Sequence, residues 1–145
     1  MAGFTFDLVS PERRLSSLEA REVQLPGSDG DLTAMPGHAP VITTLRPGLI
    51  RVVHERGVEE FVVSAGFAEI TPTGVSVLAE QALPRGEFTA EAHARMVEEA
   101  RTGLTAAQGI PNEPGPVDDA ARLLADMVAM GGHIGLGGPS RAPAP

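Results

Sequence analysis

Residues 49–80 read LIRVVHERGVEEFVVSAGFAEITPTGVSVLAE, and this stretch decides the fold class. Two β-branched runs flank Arg56-Gly57, which predicts a hairpin whose turn uses the positive φ open to glycine. The second half repeats the pattern with Pro72–Gly74 as its turn, and Gly66 is predicted to bend the chain between consecutive strands. Turns at intervals of about 8–12 residues between short strands favour a sandwich or barrel over βαβ units.

The same alternation of apolar and polar residues begins near the N-terminus and predicts strands with one buried face. The side chains predicted to face the core are Phe4, Phe6, Leu8, Val23 and Leu25. Residues 1–84 are therefore predicted to form one β domain, a sandwich or a barrel, with a core built mainly from aliphatic side chains.

The chain changes character after Pro84, where the spacing of apolar residues becomes helical. Thr89 is a predicted N-cap, and Gly103 is predicted to break the helix near its end. The residues that fall at this helical spacing are His93, Met96, Val97, Ala100 and Leu104.

A second helix is predicted after the segment GIPNEPGP, residues 109–116, with Pro116 as its first residue. Its apolar stripe includes Leu124, Met127 and Val128. We therefore predict an antiparallel helical hairpin over residues 85–131. The remaining Gly/Pro-rich residues, 132–145, are predicted to form a flexible tail.

Composition excludes several classes of protein. The chain has no Cys, which rules out disulfides, thiolate zinc sites and a Cys nucleophile. Its formal net charge of −8 has the wrong sign for binding nucleic acid or anionic lipid through bulk electrostatics. No secretory signal is recognisable, and no window approaches the ~20 apolar residues of a membrane span. We predict neither nucleic-acid binding nor direct membrane insertion.

The segment GSDGDLTAMPGHAP, residues 27–40, allows three interpretations. His38 beside Asp29 or Asp31 could form a general-base pair, but no nucleophile motif accompanies it. The Asp-Gly-Asp run could start a metal site, but the other ligand positions of a calcium loop are missing. The prolines and interleaved apolar residues also suit a rigid contact surface. We predict no catalytic residue, no metal ligand and no cofactor.

Longer motifs resemble the epsilon subunit of F-type ATP synthases, called delta in mitochondria. The resemblance rests on LPGSDGDLTAMPGHAPVITTLRPGLIRV, residues 25–52, followed by EEFVVSAGFAEITPTGVSVLAE, residues 59–80. P-G-H-A-P followed by L-x-P-G is its most specific combination, and the likeness covers about residues 3–101 well. It implies a mainly β fold, a ten-stranded sandwich followed by a two-helix antiparallel hairpin.

The resemblance also implies a function. It implies a non-catalytic rotor subunit of the central stalk of a proton-translocating ATP synthase, held peripherally at the cytoplasmic face of the inner (plasma) membrane. The implied partners are the gamma subunit and the c ring, with the alpha and beta subunits reached through the C-terminal helices. The residues that it assigns to contacts with the c ring and gamma are Asp29, Gly30, Asp31, Met35, His38, Ala39, Pro40, Val41, Ile42 and Thr43.

The C-terminal part departs from the family. Residues 117–130 hold three Asp and one Arg, whereas relatives that inhibit ATP hydrolysis carry basic residues in the last helix. An acidic helix is repelled by an acidic partner loop, so at most weak regulation is expected. Asp119 and Arg122 match a nucleotide-binding motif of some members, [I/L]-D-x-x-R-A, but Asp118 and Leu123 do not, which argues against bound ATP. The alternative from another class is a self-standing β-sandwich ligand-binding module.

Overall fold

A computed structural model describes residues 4–109 and 114–134 of the chain. The chain divides into two compact units, Met1–Arg85 and Gly86–Pro145.

The described residues of the first unit form ten strands, and short connections join strands that are consecutive in the chain. The strands are β1 Thr5–Val9, β2 Arg14–Glu19, β3 Glu22–Gly27, β4 Gly30–Ala34, β5 Val41–Leu45, β6 Gly48–His54, β7 Gly57–Val63, β8 Gly66–Thr71, β9 Gly74–Ala79 and β10 Ala82–Pro84. They pair in the order β10-β7-β6-β3-β5-β8-β9-β1-β2, with β4 joined to β3. The two end strands of that order, β10 and β2, also lie within contact distance, so the sheet nearly closes on itself. The predicted ten-stranded sandwich is confirmed.

The inward faces of the strands supply one hydrophobic core. Phe6 and Leu8 are fully buried, as the alternation in the N-terminal segment predicts. The ring of Phe6 stacks on that of Phe61, with centroids 6.0 Å apart. Aliphatic side chains fill most of the remaining volume; the core also includes Val23, Leu25, Leu45, Ile50, Val52, Val63, Ile70, Val75 and Val77. Apolar burial of this kind is the main stabilising contribution to a domain of this size.

Two glycines occupy backbone conformations that other residues rarely adopt. Gly57 has φ +134° and opens β7 directly after the Glu55-Arg56 turn, which confirms the predicted hairpin. Gly66 has φ +148° and pairs with both Leu45 and Ala79 as β8 begins. A Cβ on Gly66 would overlap the carbonyl oxygen of Leu78. Gly66 is therefore required by the close approach of neighbouring strands as well as by the change of direction predicted from the sequence.

The second unit contains α1 Ala90–Gln108 and α2 Pro114–Ile134. Thr89 caps α1 as predicted, because its hydroxyl accepts a hydrogen bond from the Ala92 N–H at 3.1 Å. The predicted break at Gly103 is wrong, since α1 continues for five more residues. The glycine penalty of about 1 kcal/mol is outweighed by the helix-forming residues around it.

The second helix differs from its predicted extent. It begins at Pro114, two residues before Pro116, and it includes residues 132–134, which the sequence assigned to the tail. Residues 110–113 of the predicted Gly/Pro-rich loop and residues 135–145 of the predicted tail lie outside the described residues. Within the described ranges, neither helix combines the length and apolar character that crossing a membrane requires.

Candidate subunit-contact site

The predicted contact segment begins at the turn between β3 and β4. Gly27 pairs with Gly30, so Ser28 and Asp29 form a two-residue turn, and Gly30 has φ +138°. A Cβ on Gly27 would lie 2.6 Å from the Gly30 carbonyl oxygen, so the pair of glycines lets the two strands approach closely. The turn presents Asp29 and Asp31 to solvent.

This turn is tied to the end of β5. The Arg46 guanidinium donates to the carboxylate of Asp31, and the Ser28 N–H donates to the Thr44 carbonyl oxygen at 2.9 Å. The hydroxyls of Ser28 and Thr44 lie 2.7 Å apart. Asp31 is thus paired with a cation, although its side chain is 78% exposed, and such exposed pairs contribute at most about 1 kcal/mol. Within this acidic turn, the charge of Asp29 is less compensated than that of Asp31, which pairs with Arg46.

His38 belongs to a second turn, which follows β4. The His38 N–H donates to the Met35 carbonyl oxygen at 3.0 Å, and Gly37 has φ +87°, so Pro36-Gly37 forms the centre of a type II turn. The Gly37 N–H donates to the carbonyl oxygen of Pro72, in the turn between β8 and β9. The sequence indicated a turn at Pro36-Gly37, and the hydrogen bond to Pro72 adds a tether that sequence spacing does not reveal.

The two turns lie at opposite ends of β4. The five residues of Gly30–Ala34 span about 13 Å, so Asp29 and Asp31 are separated from His38 by the length of the strand. The His38 imidazole also donates from Nδ1 to the Ala39 carbonyl oxygen at 2.6 Å. This arrangement does not form the general-base pair considered from the sequence. Nor do His, Asp and Glu side chains within residues 4–109 and 114–134 form a cluster that could hold a metal ion.

β5 continues the predicted contact segment. Residues 39 and 40 lead into the strand and are exposed, as is Met35. Along β5, Val41 pairs with Ile70 and Thr43 pairs with Ala68, whereas Ile42 points to the opposite face and is 73% exposed. Ile42 is therefore the residue of the predicted segment that offers the largest apolar surface for a partner.

The outer face of the sheet extends this apolar surface onto two neighbouring strands. Phe67 on β8 lies directly opposite Leu78 on β9, and the two side chains are 47% and 50% exposed. Thr44, two residues after Ile42 on the same face, lies opposite Phe67. Ile42 itself lies opposite Glu69 and is therefore a diagonal neighbour of Phe67. We call Ile42, Phe67 and Leu78 the apolar row.

The sequence analysis missed Phe67 and Leu78. The alternation along the two strands carried the signal for them. The buried apolar side chains of β8 and β9 are Ala68, Ile70, Val75, Val77 and Ala79. Phe67 and Leu78 fall at the alternate positions, which face solvent in a strand with one buried face. Large apolar side chains at outward positions on adjacent strands are the pattern that could have identified them.

Asp119 and Arg122, which match part of a nucleotide-binding motif, lie near the beginning of α2. Both side chains are exposed. The structure therefore leaves both side chains open to solvent on the second unit.

Comparisons with known proteins agree with one another. A family model described as the beta-sandwich domain of the ATP synthase delta/epsilon chain matches residues 3–85. The ATP synthase epsilon chain of Ruegeria sp. (strain TM1040) is 55% identical over 131 residues, covering 90% of this chain and 96% of that one. The ATP synthase epsilon chain of Rhodobacter capsulatus is 56% identical over 131 residues, with the same coverage of the two chains.

A solved structure supports the fold. A chain in the cryo-EM structure of the Euglena gracilis mitochondrial ATP synthase, which comprises OSCP, F1 and c-ring in rotational state 1, matches with a TM-score of 0.65. The two chains are 20% identical, and the match covers 92% of this chain and 82% of the other. From the family model and the closely similar relatives together, the chain belongs to the family of ATP synthase epsilon chains, the delta/epsilon family of F-type ATP synthases.

Proposed function

We propose that this chain is a non-catalytic subunit of the central stalk of a proton-translocating F-type ATP synthase. In this proposal it binds the gamma subunit and the c ring, and it helps to couple ion flow to ATP synthesis. The observation that carries the proposal is the apolar row, which continues from the predicted contact segment onto β8 and β9.

The apolar row has the properties of a docking surface. The solvated face of an antiparallel sheet is ordinarily polar, yet three large apolar side chains on neighbouring strands are 47–73% exposed. Complete burial of one such side chain contributes about 1.5–3 kcal/mol. Covering the exposed fractions of all three would contribute about 3 kcal/mol. Because the strands are already rigid, little of this is lost to ordering the surface.

We assign the apolar row to gamma and the acidic turn to the c ring. A lasting contact between two rotor subunits requires apolar burial, which Ile42, Phe67 and Leu78 provide. The turn at Asp29–Asp31 is polar and exposed, and it suits the polar loops that the family resemblance implies on the ring. The turn containing His38 lies at the other end of β4, and in this proposal it is a shaped contact rather than a catalytic group.

A stiff sandwich suits the transmission of torque. Its interior is packed with fully buried side chains, and dense packing gives low compressibility. Attachment through the ring would hold the chain peripherally at the cytoplasmic face of the inner membrane. The acidic hairpin would reach the alpha and beta subunits with at most weak regulation, and Asp119 and Arg122 would hold no nucleotide.

The alternative, a ligand-binding module, receives less support from the surface. Among the described residues, Phe67 is the exposed large aromatic side chain, so a stacking platform for a sugar would rest on one ring.

The decisive experiment compares gamma binding by Phe67→Ala/Leu78→Ala with binding by Val58→Ala. Val58 is 44% exposed on β7, outside the apolar row, and serves as the matched control. Loss of about 2 kcal/mol should weaken gamma binding roughly 30-fold in the double variant and leave the control unchanged. Purified gamma and isothermal calorimetry give the affinities, and circular dichroism checks the fold. Unchanged affinity in a folded double variant would refute the assignment of the row to gamma.

A further inference from the structure

The helical hairpin of the second unit has a core that specifies its alignment weakly. The buried side chains on and beside α1 and on α2 are Phe88, Ala92, Met96, Ala100, Ala107, Met127, Met130 and Ile134. Alanine side chains are too small to interlock with those of the facing helix. Methionine adapts to several packings because its side chain is flexible and unbranched. Apolar contact alone would therefore tolerate sliding of one helix along the other. Some other contact must select one alignment.

His93 supplies a directional contact across this core. Its Nε2 lies 2.6 Å from the carbonyl oxygen of Met127 on α2. A carbonyl oxygen only accepts, so Nε2 carries the proton and donates it. The rings of Phe88 and His93 form a T-shaped contact, with centroids 5.5 Å apart and planes at 71°. Because His93 is near the beginning of α1 and Met127 is near the end of α2, this contact defines an antiparallel alignment.

Gly131 provides the space for the ring. A Cβ at Gly131 would lie 2.5 Å from Cε1, 2.9 Å from Nδ1 and 3.0 Å from Nε2 of His93. Gly131 lies inside α2, where glycine disfavours the helix about fivefold relative to alanine. Its neighbour Gly132 is different, because a Cβ there would meet nothing within 4 Å. The His93 ring thus occupies the space that a side chain at Gly131 would fill, whereas the corresponding space at Gly132 is open.

We propose that His93 and Gly131 form a latch that sets the register of the hairpin and holds α2 against α1. The imidazole fits over the bare backbone of Gly131, and that fit places Nε2 on the carbonyl oxygen of Met127, one turn earlier in α2.

The test is a double-mutant cycle on the full chain, read by native-state hydrogen exchange of α2 amides. In a His93→Ala background, Gly131→Ala should raise protection about fivefold, because alanine favours the helix and meets no ring. With His93 present, the same substitution should give no gain or lower protection, because the methyl group displaces the imidazole from Met127. Gly132→Ala is the matched control and should raise protection similarly in both backgrounds. An equal gain from Gly131→Ala in both backgrounds would overturn the proposal.

A second measurement remains decisive if the His93→Ala hairpin loses all protection. Nitrogen-15 NMR of the full chain should show the Nε2–H tautomer for His93, with a slowly exchanging proton. Gly131→Ala should abolish that slow exchange, whereas Gly132→Ala should preserve it. A rapidly exchanging Nε2 proton in the unmodified chain, or its retention in Gly131→Ala, would contradict the latch.

Discussion

Replacement of Gly66 by alanine should be among the most damaging single changes to the sandwich. Gly66 has φ +148°, and its missing Cβ would overlap the Leu78 carbonyl oxygen and lie 2.8 Å from the Cα of Ala79. Both neighbours are backbone atoms of β9, which cannot rotate away as a side chain can. The substitution must therefore strain the backbone at Gly66 and also separate β8 from β9.

The magnitude follows from these two effects. A non-glycine residue in such a conformation costs about 1–3 kcal/mol. Widening the strand pair weakens two or more ladder hydrogen bonds at about 1 kcal/mol each. The expected loss is therefore about 4 kcal/mol, a large part of the ~5–15 kcal/mol that stabilises a typical domain.

Gly57→Ala is the matched control for the second effect. Gly57 also has a positive φ, +134°, but a Cβ there would meet nothing within 4 Å. Its substitution should cost about 1–3 kcal/mol from backbone strain alone. Denaturant unfolding followed by circular dichroism measures both losses, since the chain has neither Trp nor Tyr as a fluorescent probe. Equal losses for the two variants would refute the argument from the approach of β9.

Two further predictions concern the separate units. Phe6→Ala removes a fully buried ring that stacks on Phe61, and it should lower the free energy of unfolding of the sandwich by about 3–5 kcal/mol in denaturant titrations; a loss below about 1 kcal/mol would contradict the packing described. Thr89→Ala removes the cap of α1 and should reduce helix stability by about 1 kcal/mol, with faster hydrogen exchange confined to the first turn of α1, while Thr89→Ser should behave as the unmodified chain.

Sequence reasoning recovered the parts of the fold that depend on local pattern. Alternation identified the buried face of β1 through Phe6 and Leu8, and capping chemistry identified Thr89. The break expected at Gly103 did not occur, because a helix sums the propensities of many residues and one glycine is a small term in that sum.

The candidate site was only partly predictable because it depends on strand order. The sequence predicted Ile42 as a contact through the family resemblance, whereas Phe67 and Leu78 join it only when β5, β8 and β9 are known to be neighbours. The same limit applies to His38 and Asp31, which are close in sequence but lie at opposite ends of β4. The fit of His93 over Gly131 likewise depends on which turns of two helices meet.

The position of β1 has a consequence for how the protein is made. Thr5 pairs with Gly74 in a parallel ladder, so the strand synthesised first finds one of its two neighbours among the last strands of the sandwich. At a translation rate of about 5–20 residues per second, roughly 3–14 seconds separate the synthesis of these two residues. During that interval the edge of β1 that will pair with β9 has no ladder partner, so β1 is not yet held in its place in the sheet. A nascent chain arrested between β8 and β9 should therefore bind chaperones more strongly than one arrested beyond β10.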